Sequence, residues 1–410
     1  MEGSDVPGRF NAGGICWHAG ELPHIPGMTH IQSTTFPATR AAGLARLHAA
    51  AAGLGRQYAD TRNTDAGLHA DPTTSALSPY LRRRMVLETE VVDAARAAHG
   101  PAADKFVQEV FWRTYFKGHL ETRPWLWTDY QRLVADGHDR LAREAGLRRA
   151  HEQAVEGRTG IECFDDWAAE LAGRNWLHNH TRMWFASIWV FTLGLPWALG
   201  AELFMHRLLD GDPASNTLSW RWVAGLHTRG KAYAARAENI RRYTDGRYDP
   251  KGLNEDPAPL EEPDGRLPVK LSPADAPPEG DAALLLHLDD LHPESLPLGR
   301  ARVVCVGGMV AHADGAVDRV QAMDQAAMAD ALDRAAAYFG CPAGPAGDGW
   351  NDGLPVVTAW APVGPSASAL PPAARVRRGW DDAVWPRATK GYFQVKAAIP
   401  GLIGPGPDGR

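Results

Sequence analysis

Three short stretches set acid, amide, guanidinium and indole groups at spacings that bring them onto shared surfaces. In KFVQEVFWRTYFKGH (105–119), Glu109, Trp112, Arg113 and Phe116 stand at i, i+3, i+4 and i+7, one stripe of a helix. That stripe can meet a flat ligand, or it can pack Trp112 and Phe116 inward while Glu109 pairs with Arg113. In NWLHNHTRMW (175–184), helical spacing keeps Asn179 and Met183 together and brings Arg182 to the adjoining edge. LLDGDPASNTLSWRW (208–222) sets Asp210, Gly211, Asp212 and Asn216 ahead of Trp220 and Trp222. Taken singly, an Asp or Asn there is a turn or a helix cap, although an amide also offers a ligand both a donor and an acceptor. Thr74, Ser75, Ala76, Leu77 and Ser78 precede Pro79, and hydroxyls with backbone N–H groups at a helix N-terminus suit a pyrophosphate. His178 and His180 are two apart and point in different directions on a helix, so packing and surface roles are expected rather than a metal site.

These groups need helices to carry them. TRAAGLARLHAAAAGL (39–54) reads as an amphipathic helix ending at Gly53 or Gly55, and Tyr58 to Pro72 as a loop. Ser78 is placed as an N-cap with Pro79 at the first helical position, and helices dominate from there to about residue 243. The apolar run MWFASIWVFTLGLPWAL (183–199) is broken by Gly194 and Pro196 and reads as a buried core helix rather than a membrane span. Beyond it, ALLLHLDDL (283–291), ARVVCVGG (301–308) and LPVVTAWAP (354–362) read as strands, and VQAMDQAAMADALDRAAAYFG (320–340) as a helix. The expected class is therefore α+α/β: a loose arm over 1–28, a helical domain over 29–248, a Pro- and Asp-rich linker over 249–278 and a small parallel α/β domain over 279–400.

The 410 residues are 44% hydrophobic, enough for sizeable cores, and the net charge of −6 leaves any nucleic-acid contact to a local basic face. Such a run exists at 227–251, with Arg229, Lys231, Arg236, Arg241, Arg242, Arg247 and Lys251 among tyrosines. It is either a solvated face or a track for a phosphate backbone. Cys16, Cys163, Cys305 and Cys341 lie far apart without a CxxC and fit free thiols in a reducing, cytoplasmic setting.

Taken together, these stretches make the segment from about Gln57 to Trp222 resemble the helical FAD-binding domain of photolyases and cryptochromes. The resemblance rests on E-x-x-W-R at 109–113, T-S-A-L-S followed by Pro-Tyr-Leu at 74–81, W-L-H-N-H-T-R-M at 176–183 and D-G-D-P-A-S-N followed by W-R-W at 210–222. It implies that Trp112 stacks on an extruded base or dimer, that Glu109 meets a pyrimidine edge and that Arg113 lies near the flavin. Tyr58 and Thr74 to Ser78 would hold phosphate, and Asn179 and Met183 would contact the base pocket. Arg182, over the isoalloxazine, would pair with Asp210. Asp212 would stand at the N1/C2 edge of the ring and Asn216 at N5. Trp220 would be the flavin-proximal electron carrier and Trp197 the next, with Trp125, Trp127 and Tyr130 as candidates for the outer member. Trp222 would form the second wall of the base pocket, opposite Trp112. His180 departs from the family, where many repair enzymes carry Arg. KAYAARAENI (231–240) is similar to a branch holding an iron–sulfur cluster, but 240–252 contains no cysteine and no cluster is expected.

The resemblance implies FAD as chromophore and light-driven electron transfer from reduced FAD, repairing pyrimidine dimers in DNA as a deoxyribodipyrimidine photolyase-like lyase. Its alternative is a cryptochrome-like blue-light photoreceptor without repair activity, and a third class is a flavin module kept for redox or structural purposes. The residues ahead of Tyr58 are too few for the family's α/β antenna domain. The α/β segment after residue 280 is then either that domain permuted or an unrelated appendage.

Overall fold

The computed structural model describes residues 36–68, 70, 72–263 and 266–404, and the expected arm over 1–28 lies outside the described residues. Helices come first: α1 (Arg40–Ala51), α2 (Arg56–Thr61), α3 (Ser78–Arg82), α4 (Glu88–His99), α5 (Asp104–Glu121) and α6 (Trp125–Arg143). They continue with α7 (Ala145–Val155), α8 (Glu162–Arg174), α9 (Asn179–Ser187), α10 (Trp197–Arg207), α11 (Pro213–Val223) and α12 (Ala237–Tyr243). The boundaries follow local chemistry. Thr39 caps α1 by accepting a 3.2 Å bond from the Ala42 N–H, and α8 stops where Asn175 takes a left-handed conformation, φ 56°.

Three expectations shift. The stretch read as a loop from Tyr58 to Pro72 begins inside α2, which runs to Thr61. Ser78 is the first residue of α3 and Leu77 precedes it, because the Ser78 hydroxyl accepts the Trp176 indole N–H at 3.2 Å instead of capping. The run 183–199 is not one helix: α9 gives way to a π turn over Ile188–Thr192, Gly194 takes φ 67°, and α10 begins only after Pro196.

Residues 249–278 carry no helix or strand where described. Then come β1 (Gly280–His287), β2 (Ala301–Met309), α13 (Asp318–Phe339), β3 (Ala343–Pro345), β4 (Val356–Ala359), α14 (Pro365–Ala369), β5 (Ala374–Val376), α15 (Gly379–Val384) and α16 (Tyr392–Leu402). The five strands form one parallel sheet in the order β3-β2-β1-β4-β5, with Leu284 of β1 level with Val306 on one side and Val357 on the other. Central β1 reads Ala-Ala-Leu-Leu-Leu-His and is buried on both faces, as a parallel strand covered by helices must be. β3 and β5 are three residues each, too short to show a period in the sequence.

The described residues form one compact unit. One apolar core runs from Tyr80, Val91 and Phe111 of the helical part to Leu284, Val306 and Met328 of the sheet part. A second holds Trp167, Trp184, Trp189 and Trp220 with Phe164 and Phe185, which accounts for much of the tryptophan content. The halves are also joined by charge. Consecutive Arg82, Arg83 and Arg84, all buried, reach Asp289 after β1 (2.7 Å), Asp324 in α13 and Asp381 in α15 (2.6 Å). Among the described residues no helix is long and apolar enough to cross a membrane.

Candidate functional site

Helix α5 crosses the N-terminus of α11, where Asp212 is the N-cap and accepts the Ser215 N–H at 2.7 Å. The other Asp212 oxygen takes Arg113 at 3.1 Å and lies 3.7 Å from the Lys117 ammonium. Burial pushes the Asp212 carboxyl up, but Arg113, Lys117 and Arg82 more than offset it and hold the group well below the usual carboxylate range. One helix away, Arg182 binds Asp210 at 2.9 Å and steadies itself on the Leu177 carbonyl at 3.0 Å. Three cations thus face two carboxylates: Arg113, Lys117 and Arg182 against Asp210 and Asp212.

The set is incomplete by itself. Asp210 Oδ1, Arg113 Nε and Lys117 Nζ are buried without a hydrogen-bond partner, a costly arrangement unless a polar ligand meets them. Donors and acceptors of this kind fit an isoalloxazine edge. Asn216 is buried on α11, with its amide N–H₂ donating to the Ala201 carbonyl at 2.7 Å and its oxygen left for other use. The Gly211 carbonyl accepts Arg82 Nε at 2.7 Å. In the expected phosphate stretch, Ala76 takes φ 49° between half-buried Ser75 and buried Leu77, a left-handed backbone conformation of the kind found in anion-binding turns. Tyr58 is buried edge-on against Phe106, ring centroids 5.1 Å apart.

Glu109 and Arg113 do not pair along α5. Glu109 binds Arg62 at 2.9 Å and Lys105 at 3.4 Å, because Asp212 claims Arg113. Trp112 lies face to face with Tyr392 of α16, centroids 3.7 Å apart and planes 14° apart. Trp222 packs on Tyr233 at 5.4 Å, Met183 is half-buried and Asn179 is exposed at the start of α9. His178 and His180 are both buried, not at the surface. His178 caps α9, and His180 reaches the Asn63 carbonyl (2.9 Å) and the Tyr233 hydroxyl (3.0 Å) while stacking on Trp184. Among the described residues no group of three or more His, Cys, Asp or Glu is placed to hold a metal.

Trp220 lies against Gly200, where a Cβ would come within 2.3 Å of the indole, so only glycine lets α10 approach. Trp197 begins α10 one turn earlier, Tyr130 is 6.0 Å from it, and Trp127 is 5.1 Å from Tyr130. Trp125 instead lies beneath Arg266, 5.2 Å from the ring to the guanidinium carbon. Two contributors escaped the sequence reading. Lys117 was legible, since it stands one turn after Arg113 on the same stripe. Tyr392 was not, since nothing local ties it to a helix 280 residues earlier.

Helices α5, α9 and α11 thus gather a buried cluster of fixed charges, with Trp112, stacked on Tyr392, on the same helix α5. Residues 106–253 match the family model described as the FAD binding domain of DNA photolyase. It is 35% identical over 185 residues to a deoxyribodipyrimidine photo-lyase of Streptomyces griseus, covering 42% of this chain and 39% of the relative. It is 36% identical over 163 residues to a cryptochrome DASH of Gloeobacter violaceus, covering 35% and 33%. The chain spans about two fifths of the length of the first curated relatives it matches. A solved bacterial class III photolyase from Agrobacterium tumefaciens is 24% identical, with TM-score 0.40 over 50% of this chain and 44% of that one.

Proposed function

We propose that the chain is a light-driven, FAD-dependent flavoprotein of the repair kind, a deoxyribodipyrimidine photolyase-like lyase whose partner is DNA carrying pyrimidine dimers. One observation supports the reading: α5 presents Arg113 to the buried Asp212 and carries half-buried Trp112 and Glu109 beside it, the indole under Tyr392 and the carboxylate on Arg62. Cofactor and base are thereby served by neighbouring residues of one rigid element.

Bound FAD would supply the light-absorbing ring and, when reduced, the electron. Arg182, Arg113 and Lys117 would hold it, with their one-charge surplus over Asp210 and Asp212 favouring an anionic ring. Thr74 to Ser78 and Tyr58 would bind the phosphates, and Asn216 and Asp212 would orient the ring edge. Trp112 and Trp222 would flank an extruded base, Glu109, Asn179 and Met183 would line its pocket, and Arg236, Arg241 and Arg242, exposed around α12, would track the backbone. Trp220 and Trp197 would carry electrons, with Tyr130 and Trp127 as the outward continuation. A second reading, a blue-light photoreceptor without repair, is favoured by the stack of Tyr392 on Trp112, which covers the base face.

The test is illumination of the FAD-loaded, reduced protein with oligonucleotides carrying cyclobutane or six-four lesions. Light-dependent loss of the cyclobutane dimer is expected. No loss of either lesion despite bound reduced flavin would remove the repair reading.

A further inference from the structure

We infer that α16 is an exchangeable cover on the base-stacking face of α5, with the Tyr392 ring standing where a nucleobase ring would lie. The inference rests on the reading of α5 as a base-binding helix. A centroid separation of 3.7 Å with planes 14° apart is the parallel contact a base makes on an indole. A base can therefore replace Tyr392 ring for ring.

The cover meets the face through a single row of side chains and is anchored more extensively just before it. Only Tyr392, Val395 and Ile399 of α16 are buried, and Pro400 removes one of its backbone donors. Phe393, next to the stacked ring, is 80% exposed. The Tyr392 hydroxyl donates to the Gln108 carbonyl at 2.6 Å, and Arg96 reaches the Gly404 carbonyl at 3.2 Å. The preceding segment is anchored more deeply. Trp385 packs on Gly118, where a Cβ would come within 2.8 Å, and Trp380 donates to Thr114 at 2.8 Å and lies 4.6 Å from Phe111. Arg123 holds the Thr389 carbonyl at 2.6 Å and Tyr115 the Lys390 carbonyl at 3.3 Å. Release of α16 alone, turning about Lys390 and Gly391, uncovers Trp112 and leaves the rest of α5 packed.

The experiment titrates a dye-labelled single-stranded oligothymidylate bearing one cyclobutane dimer, in the dark, against the full FAD-loaded chain. The proteins are the wild type, Tyr392→Ala and Tyr392→Phe, followed by anisotropy and by hydrogen exchange over residues 389–404. Tyr392→Ala should bind about tenfold more tightly than wild type, because no ring must be displaced. Tyr392→Phe, which keeps the ring, should stay within about twofold of wild type. In the wild type the amides of α16 should lose protection when the oligonucleotide is added. Equal affinities with α16 protected in both free and bound protein would make it a fixed wall and overturn the cover, leaving the base-binding reading intact. No binding by any of the folded proteins would overturn the base-binding reading and the cover with it. The exchange measurement needs no variant, so it decides even where Tyr392→Ala folds poorly.

Discussion

The molecule holds two buried ionic clusters, and they are finished to different degrees. Around Asp289, Asp324 and Asp381, the guanidinium groups of Arg82, Arg83 and Arg84 are bonded on several sides to carboxylates and to the Gly211, Leu288, Pro79 and Leu209 carbonyls. Among the described residues none of these six side chains has a buried polar atom without a partner. Around Asp210 and Asp212, by contrast, three buried polar atoms are unmatched. A complete network fastens, and an incomplete one waits for a ligand. Similar residue types therefore serve opposite ends, and the count of satisfied atoms, rather than the count of charges, separates structure from function.

The contrast can be broken most sharply at its closed side. Arg84→Ala would strand Glu88 and Asp381, both buried, while Asp290 keeps Arg378, and should cost about 3–5 kcal/mol in chemical denaturation. A cost under about 1 kcal/mol would mean that the cluster fastens nothing. A pH effect comes next. Burial, with Arg221 and Arg123 nearby, lowers His227 to about 4, and burial lowers His119 to about 2. Both rings stay neutral in the folded chain while the unfolded chain takes up protons below about pH 6.5. Stability contributed by these depressed histidines is therefore fully present above pH 6.5 and lost as pH falls toward 4, by up to about 3 kcal/mol for His227. His227→Gln should flatten the decline in urea midpoint between pH 7 and 4.5, and an unchanged slope would exclude this residue as its source.

On the open side, Asp212→Asn leaves Arg113 and Lys117 without their counter-ion and should weaken flavin retention by about tenfold or more, about 1.4 kcal/mol, read from absorbance per protein. Undiminished flavin content would place the cofactor elsewhere. The smallest effect is expected at Trp127→Phe, under about 1 kcal/mol in stability. It should slow photoreduction of oxidised flavin, whereas Trp125→Phe should not, and the reverse ranking would redirect the electron route.

Much of this was legible in the sequence because the informative spacing was short. Glu109 to Arg113, Asn179 to Met183 and Asp210 to Asn216 each lie within two helical turns, and helical geometry carries such spacing directly into space. The strands at 301–308 and 354–362 were visible for the same reason. What stayed hidden depends on distant partners. The Glu109–Arg113 pair was plausible locally but lost to Asp212, 99 residues away from Arg113. His178 and His180 read as packing and surface residues, and both are buried, His180 drawn inward by Trp184 and Tyr233. The triple arginine at 82–84 had no evident purpose until the sheet part brought its acids.

The connecting residues 249–278 are more than a tether. The Leu260 N–H bonds the Ala224 carbonyl at 2.9 Å, the Val269 N–H the Thr122 carbonyl at 2.8 Å and the Asp275 N–H the Arg375 carbonyl at 3.0 Å, while Glu262 and Arg266 pair with Arg221 and Asp129. Leu267, between these stitches, is 85% exposed and open to a protease. A single cut there would leave each stub stitched to its own neighbours and the two fragments joined by a shared apolar core and a buried ionic clasp. The nicked protein should travel as one particle on a sizing column, its covalent continuity dispensable once folding is done.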